Sequence, residues 1–174
     1  MNAIVIYKSK YGSAKCYARW IAEELGCDCV DVKKVKVEDL RDYDAIIYGG
    51  GLYAEMIAGI TFITKNFDRL SDKKIVVFST GITPLDCREY YDSYVLSKNF
   101  KPHMLEKIKV YNFLGKMIID ELTPVHKAAI KTLKKIMSNK ENPTEMEKLL
   151  IALCDQSGDF CDKDAIKELI KEIK

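Results

Sequence analysis

The chain has 174 residues, 48% of them hydrophobic and 31% charged, with a formal net charge of +2. That length suits one compact domain. The charge balance offers no strong field for nucleic acid, and no apolar run is long enough to span a membrane. Six cysteines (Cys16, Cys27, Cys29, Cys87, Cys154 and Cys161) form neither paired CxxC motifs nor a zinc spacing, so they read as free thiols in a reducing cytoplasm. The apolar start, Asn2 to Tyr7, is too short for a signal peptide and runs into Lys8 and Lys10.

In chain order, Ala3-Ile4-Val5-Ile6-Tyr7 is a β-branched run of the kind that forms a buried strand. It breaks into Ser9-Lys10-Tyr11-Gly12-Ser13-Ala14. A helix from Ser13 to Leu25 follows, with Ala14, Ala18, Ile21 and Leu25 on one face and Gly26 as its stop. A strand, a hydroxyl-bearing turn and a helix N-terminus together make an anion site, because free N–H groups and the helix dipole meet there.

The second strand is Cys29-Val30-Asp31-Val32. The third is Asp44 to Tyr48, ending at Gly49-Gly50-Gly51, and a helix is predicted from Ile57 to Leu70. Lys74 to Ser79 is the fourth strand, Tyr90, Tyr91 and Tyr94 fall in a short helix, and Lys107 to Phe113 is the fifth strand. Thr123-Pro124 opens a helix to about Met137, Asn142-Pro143 opens another, and Asp162 caps the last. The reading is a single domain over residues 1–174, with an extended helical region at about 114–161. Its class is α/β, a doubly wound five-stranded parallel sheet of order 2-1-3-4-5 with helices on both faces.

In such a sheet ligands sit beyond the carboxyl ends of the strands, where strand order reverses. The loops after strands one, three and four should therefore converge. They supply the candidate site: Ser9, Lys10, Tyr11, Gly12, Ser13 and Ala14; then Gly50, Gly51, Leu52, Tyr53 and Ala54; then Ser79, Thr80, Gly81 and Ile82. In the second loop the glycines allow close backbone approach to a flat ligand, and Tyr53 can stack on it. Taken alone, the first turn is equally compatible with an ordinary capped turn, the second loop reads rather as a tight turn with a half-buried tyrosine, and the third is also compatible with a surface loop ended by Pro84.

The first turn resembles the phosphate loop of the flavodoxin family, Ser/Thr-x-Thr/Tyr-Gly-x-Thr. Ser9-Lys10-Tyr11-Gly12-Ser13-Ala14 fits five of its six places. Ala14 stands where the family carries a threonine, which removes one hydrogen bond worth about 1 kcal/mol; Ser13 or Lys15 is placed to compensate. The second and third loops resemble the flavin-binding loops of the same proteins. Val110-Tyr111-Asn112-Phe113-Leu114-Gly115-Lys116, a lysine-rich helix and Asp159-Phe160-Cys161-Asp162 are similar to the branch containing the quinone-dependent protoporphyrinogen dehydrogenases. The resemblance implies FMN as cofactor, and the loop residues named above as its ligands.

Three functions follow as expectations from that resemblance. One is an electron-transfer flavoprotein serving a redox partner protein. The second is an oxidoreductase acting on a quinone or small substrate. The third is a non-redox binding module that has lost flavin, which Ala14 keeps open. A phosphoacceptor receiver domain is excluded, because Lys8-Ser9-Lys10 stands where paired acids belong. No catalytic triad is evident; His103 and His126 read as surface or helix-face residues outside the convergent loops. Cys87 reads as a semi-buried thiol. Lys127, Lys131, Lys134 and Lys135 make a basic helix face, solvated or touching anionic lipid as a peripheral contact.

Overall fold

A computed structural model describes residues 1–174. Strand β1 is Ala3–Lys8 and helix α1 is Ser13–Leu25, ended by Gly26 in the left-handed conformation at φ 63°. Strands β2 (Asp28–Asp31), β3 (Ala45–Tyr53) and β4 (Met56–Ile57) follow, then a single helical turn, α2 (Thr61–Thr64), and β5 (Lys74–Gly81). A π-helical segment, Tyr90–Val95, runs straight into α3 (Leu96–Asn99), and α4 is Pro102–Leu105. The C-terminal third holds β6 (Ile108–Leu114), β7 (Lys116–Met117), α5 (Pro124–Ser138), α6 (Glu145–Leu153), β8 (Gly158–Asp159) and α7 (Lys167–Ile173). No helix is long and apolar enough to cross a membrane.

The main sheet has the order β2-β1-β3-β5-β6, every pair parallel, with β4 turned back antiparallel on β3. This is the doubly wound five-stranded sheet that the alternating pattern predicts. Strand side chains alternate between two cores. Ile4, Ile6, Ile46, Tyr48, Ile75 and Val77 face one side, under the 57–70 and 90–105 segments. Ala3, Val5, Ala45, Ile47, Val76 and Phe78 face the other, under α1 and α7. Full burial of each large apolar side chain contributes roughly 1.5–3 kcal/mol, so both faces must be covered for the sheet to persist.

Four local features differ from the sequence reading. Gly49, Gly50 and Gly51 lie inside β3 and form no turn. Their small size serves packing instead: a Cβ on Gly49 would fall 1.9 Å from Cζ of Phe78, and one on Gly50 would fall 2.6 Å from the carbonyl oxygen of Ala58. The turn itself is Ala54-Glu55, at φ 48° and 62°, closing the β3–β4 hairpin with two left-handed residues. The expected helix from Ile57 to Leu70 is broken, because Ile57 pairs as a strand and Gly59 turns the chain at φ 72°, leaving α2 and a 3-10 turn at Phe67–Leu70. The helix expected from Asn142-Pro143 begins instead at Glu145, capped by Thr144, whose hydroxyl accepts from Glu147 N–H while the Glu147 carboxylate accepts from Thr144 N–H.

The N-caps in the last third of the chain follow the expected chemistry elsewhere. Thr123 caps α5 with Pro124 at its first position, and the Asp162 carboxylate accepts from Asp164 N–H at the 3-10 turn leading into α7. The β7–β8 ribbon was not foreseen. It pairs Met117 with Gly158 and Lys116 with Asp159, so the α5–α6 excursion leaves and rejoins the core at one place.

Candidate functional site

The carboxyl ends of β1, β3 and β5 converge on one cavity of about 420 Å³. Its floor at one end is the turn after β1. Gly12 stands at φ 100°, with open space where a side chain would be, and its N–H donates to Ser9 Oγ at 3.1 Å. Helix α1 then starts with no side-chain cap. Its leading N–H groups lack intrahelical acceptors, and the dipole adds positive potential there, so the turn is built for an anionic guest.

The other end of the cavity is a slot. One wall is Gly51, Leu52, Tyr53 and Ala54; another is Thr80, Gly81 and Ile82; a third is Gly115, Lys116 and Met117. The Thr80–Ile82 wall is held from behind by the Tyr91 hydroxyl, which donates to the Thr83 carbonyl at 2.6 Å. Gly115 N–H donates to the Gly81 carbonyl at 2.7 Å, fixing the end of β6 against that of β5. Ala54 and Glu55 are held in their left-handed turn by the buried amide of Asn99, which accepts from Ile57 N–H and donates to the Glu55 carbonyl.

Of the residues predicted to form the site, Ser9, Lys10, Tyr11, Ser13, Ala14, Gly51, Leu52, Tyr53, Ala54, Thr80, Gly81 and Ile82 all border this cavity. Gly12 borders an adjoining recess with Lys15. Two do not reach it. Gly50 lies behind the wall against Ala58, and Ser79 is wholly buried in β5, its hydroxyl donating to Asn112 Oδ1 at 2.6 Å. Ser13 Oγ accepts from Lys116 N–H at 2.7 Å, so it ties β7 to the head of α1.

The roof comes from α5, which lies outside every expected loop. His126, Ala129, Ile130 and Leu133, at spacings of three and four, turn one helix face into the cavity. His126 is therefore a site residue, against the expectation from sequence. The Tyr11 hydroxyl lies 2.6 Å from its Nδ1 and accepts from Thr123 N–H at 3.3 Å. The phenol can donate to Nδ1 of the neutral ring, in the tautomer that carries its proton on Nε2. Burial and then the nearby Lys10 charge both hold His126 below the usual imidazole range, so the neutral ring is favoured. Tyr53 completes an aromatic cluster, its ring centroid 5.2 Å from that of His126 and 6.4 Å from that of Tyr11. Burial pushes the Tyr53 phenol up to about 12.

None of the cysteines offers a ready thiolate. Burial raises all six, Cys87 included, with Cys161 reaching about 12. Cys87 packs against the core on the side of the sheet away from α1. His103 stands apart from the cavity, edge-on to Phe67.

A family model described as flavodoxin domain matches residues 4–145, from β1 into α6. The chain belongs to the flavodoxin domain family. Among curated proteins it is 29% identical over 116 residues to the uncharacterized protein MJ0298 of Methanocaldococcus jannaschii, an overlap of 65% of this chain and 69% of the relative. Among solved structures, this flavodoxin-domain chain is similar to a flavodoxin from the domain Archaea (17% identity, TM-score 0.44, covering 89% of this chain and 97% of that one). It is also similar to a flavodoxin, WrbA-like protein from Agrobacterium tumefaciens (12% identity, TM-score 0.49, 99% of each chain). A third is a Lactobacillus acidophilus flavoprotein in complex with FMN (14% identity, TM-score 0.40, 65% of this chain and 91% of that one).

Proposed function

We propose that this flavodoxin-domain protein binds FMN in the cavity and transfers electrons through it to a redox partner. The observation that carries the reading is the continuity of two chemistries in one cleft. The uncapped head of α1, with Ser9 and Gly12, receives the phosphate. The slot between Tyr53 and the Thr80–Ile82 wall receives the ring. The dimethylbenzene side of a flavin suits the apolar face of α5, and backbone groups at Gly51 to Ala54 suit its polar edge. Once bound there, the isoalloxazine supplies the electron chemistry, and the protein's part is binding, orientation and exclusion of water.

A second reading is an oxidoreductase that passes electrons to a quinone, as in the protoporphyrinogen dehydrogenase branch. The roof favours it. Ala129, Ile130 and Leu133 give an aromatic co-substrate an apolar surface opposite the ring, and Leu133 is 46% exposed, so the mouth stays open beside it. The outer side of α5 carries exposed Val125 and Ile136 among lysines, which supports access from a lipid surface.

The test is the visible spectrum of the purified protein, with mass analysis of what denaturant releases. A yellow protein releasing FMN is expected. A colourless protein that also refuses added FMN would overturn both redox readings and leave a binding module. Anaerobic reoxidation of the loaded protein by a soluble quinone, in competition with a flavodoxin-accepting redox protein, then separates enzyme from carrier.

A further inference from the structure

Beside the cofactor cavity lies a second recess of about 390 Å³, bordered by Lys8, Lys10, Asp31 and Lys33. It shares Ser9, Lys10, Tyr53 and His126 with the first cavity, so the two adjoin along these four residues. None of the three ammonium groups has a carboxylate within ion-pair distance. The one acid present, Asp31, already accepts the Lys33 N–H through Oδ1 at 2.9 Å. Three positive charges thus face one carboxylate, and that carboxylate is partly occupied.

The lysines are also positioned. The stem of Lys8 lies over Gly59, where a Cβ would stand 2.7 Å from Lys8 Cδ; Gly59, at φ 72°, leaves the groove in which that stem rests. Lys33 sits on a 3-10 turn capped by Asp31, and Lys10 lies over the face of the Tyr11 ring at 5.6 Å from its centroid. Holding the stems lowers the conformational entropy lost when the ammonium groups close on a ligand. A recess of this volume suits a small group better than a protein surface.

We infer that the Lys8–Lys10–Lys33 recess is an anion subsite for a second ligand, a small molecule whose phosphate or carboxylate group docks there while its body reaches past Tyr53 and His126 to the cofactor cavity. The inference rests on the flavin reading only for what that body meets; the anion site stands on the lysines.

The experiment is calorimetric titration of the FMN-loaded protein with inorganic pyrophosphate and, separately, with citrate. Saturable single-site binding is expected for at least one. Lys8→Gln and Lys33→Gln should each weaken it about fivefold or more, with flavin absorbance unchanged, while Lys167→Gln on α7 titrates like the parent. A preference for pyrophosphate identifies a phosphate-bearing ligand, and a preference for citrate a carboxylate-bearing one. Failure of both to saturate, or parent-like titration of Lys33→Gln, would overturn the subsite. Because Lys33 is exposed on a turn, Lys33→Gln decides the matter even if Lys8→Gln disturbs the Gly59 groove. If no flavin binds at all, the same titration still reads the lysines, so the two proposals fail separately.

Discussion

Tyr11 and His126 meet at 2.6 Å across 115 positions of sequence, and through them the turn after β1 holds the helix that roofs the cavity. Helix α5 has few other anchors. Met137 is its one buried residue, and its partner α6 buries Leu153. The contact is therefore a latch: what happens at the turn is felt by the roof.

Removing either half of the latch should loosen α5 without unfolding the sheet. Tyr11→Phe and His126→Phe are each expected to cost about 1 kcal/mol of roof closure. The double variant should cost less than the sum, since both remove one interaction. Amide exchange at Ala129 to Leu133 reads this directly, and FMN should dissociate about fivefold faster from each. Additive effects would mean that the two residues act apart.

The latch should also weaken in mild acid. The ordinary imidazole pKa is 6.5, and the folded His126 lies below it. Above pH 6.5 the ring is neutral in every state and the closed roof keeps its full stability. As pH falls below 6.5, the open or unfolded chain takes up a proton first, so stability is lost until the pH passes the depressed folded value. Lys10, Tyr11 and Tyr53 face the ring, and none supplies a carboxylate to reverse the sign. The difference in Tm between the parent and His126→Gln should shrink from pH 7.5 to pH 5.

At the hairpin tip, relief of backbone strain should stabilise. Ala54 and Glu55 both adopt φ values that cost an L-residue roughly 1 kcal/mol or more. Ala54→Gly should raise Tm by about 2–4 °C. Asn99→Ala should do the opposite, by about 3 kcal/mol in urea unfolding, because it strips partners from Ile57 N–H and the Glu55 and Val95 carbonyls in a buried place.

Within β3, Gly49→Ala should be among the most damaging single changes. Its methyl would overlap the ring of Phe78, which is wholly buried and has nowhere to move. The expected loss is about 3 kcal/mol or more, measured by the urea midpoint.

The turn after β1 was legible because everything it needs is contiguous: a strand, Ser9, Gly12 and the start of α1. The parallel sheet was legible because its central strands, β1, β3 and β5, are apolar on both faces. The three glycines misled because a glycine signals backbone freedom locally, whereas Gly49 and Gly50 are small on account of Phe78 on a neighbouring strand and Ala58 across the hairpin, contacts made only in the folded sheet. His126 was missed for the same reason. Its partner is 115 residues away, and nothing near it announces a site. The available signal was the stripe of His126, Ala129, Ile130 and Leu133, an apolar face on a helix whose other sides are lysine-rich.

Met117 and Gly158 are paired neighbours in the β7–β8 ribbon, so the whole stretch between them is a detour that returns to its point of departure. A chain can lengthen or shorten such a detour at small entropic cost, since closure entropy grows only slowly with length, and no strand of the main sheet need change register. The roof is thus a module hung on two adjoining residues. Change over generations can remodel the entrance to the cavity, while the turn after β1 at its other end is inherited intact.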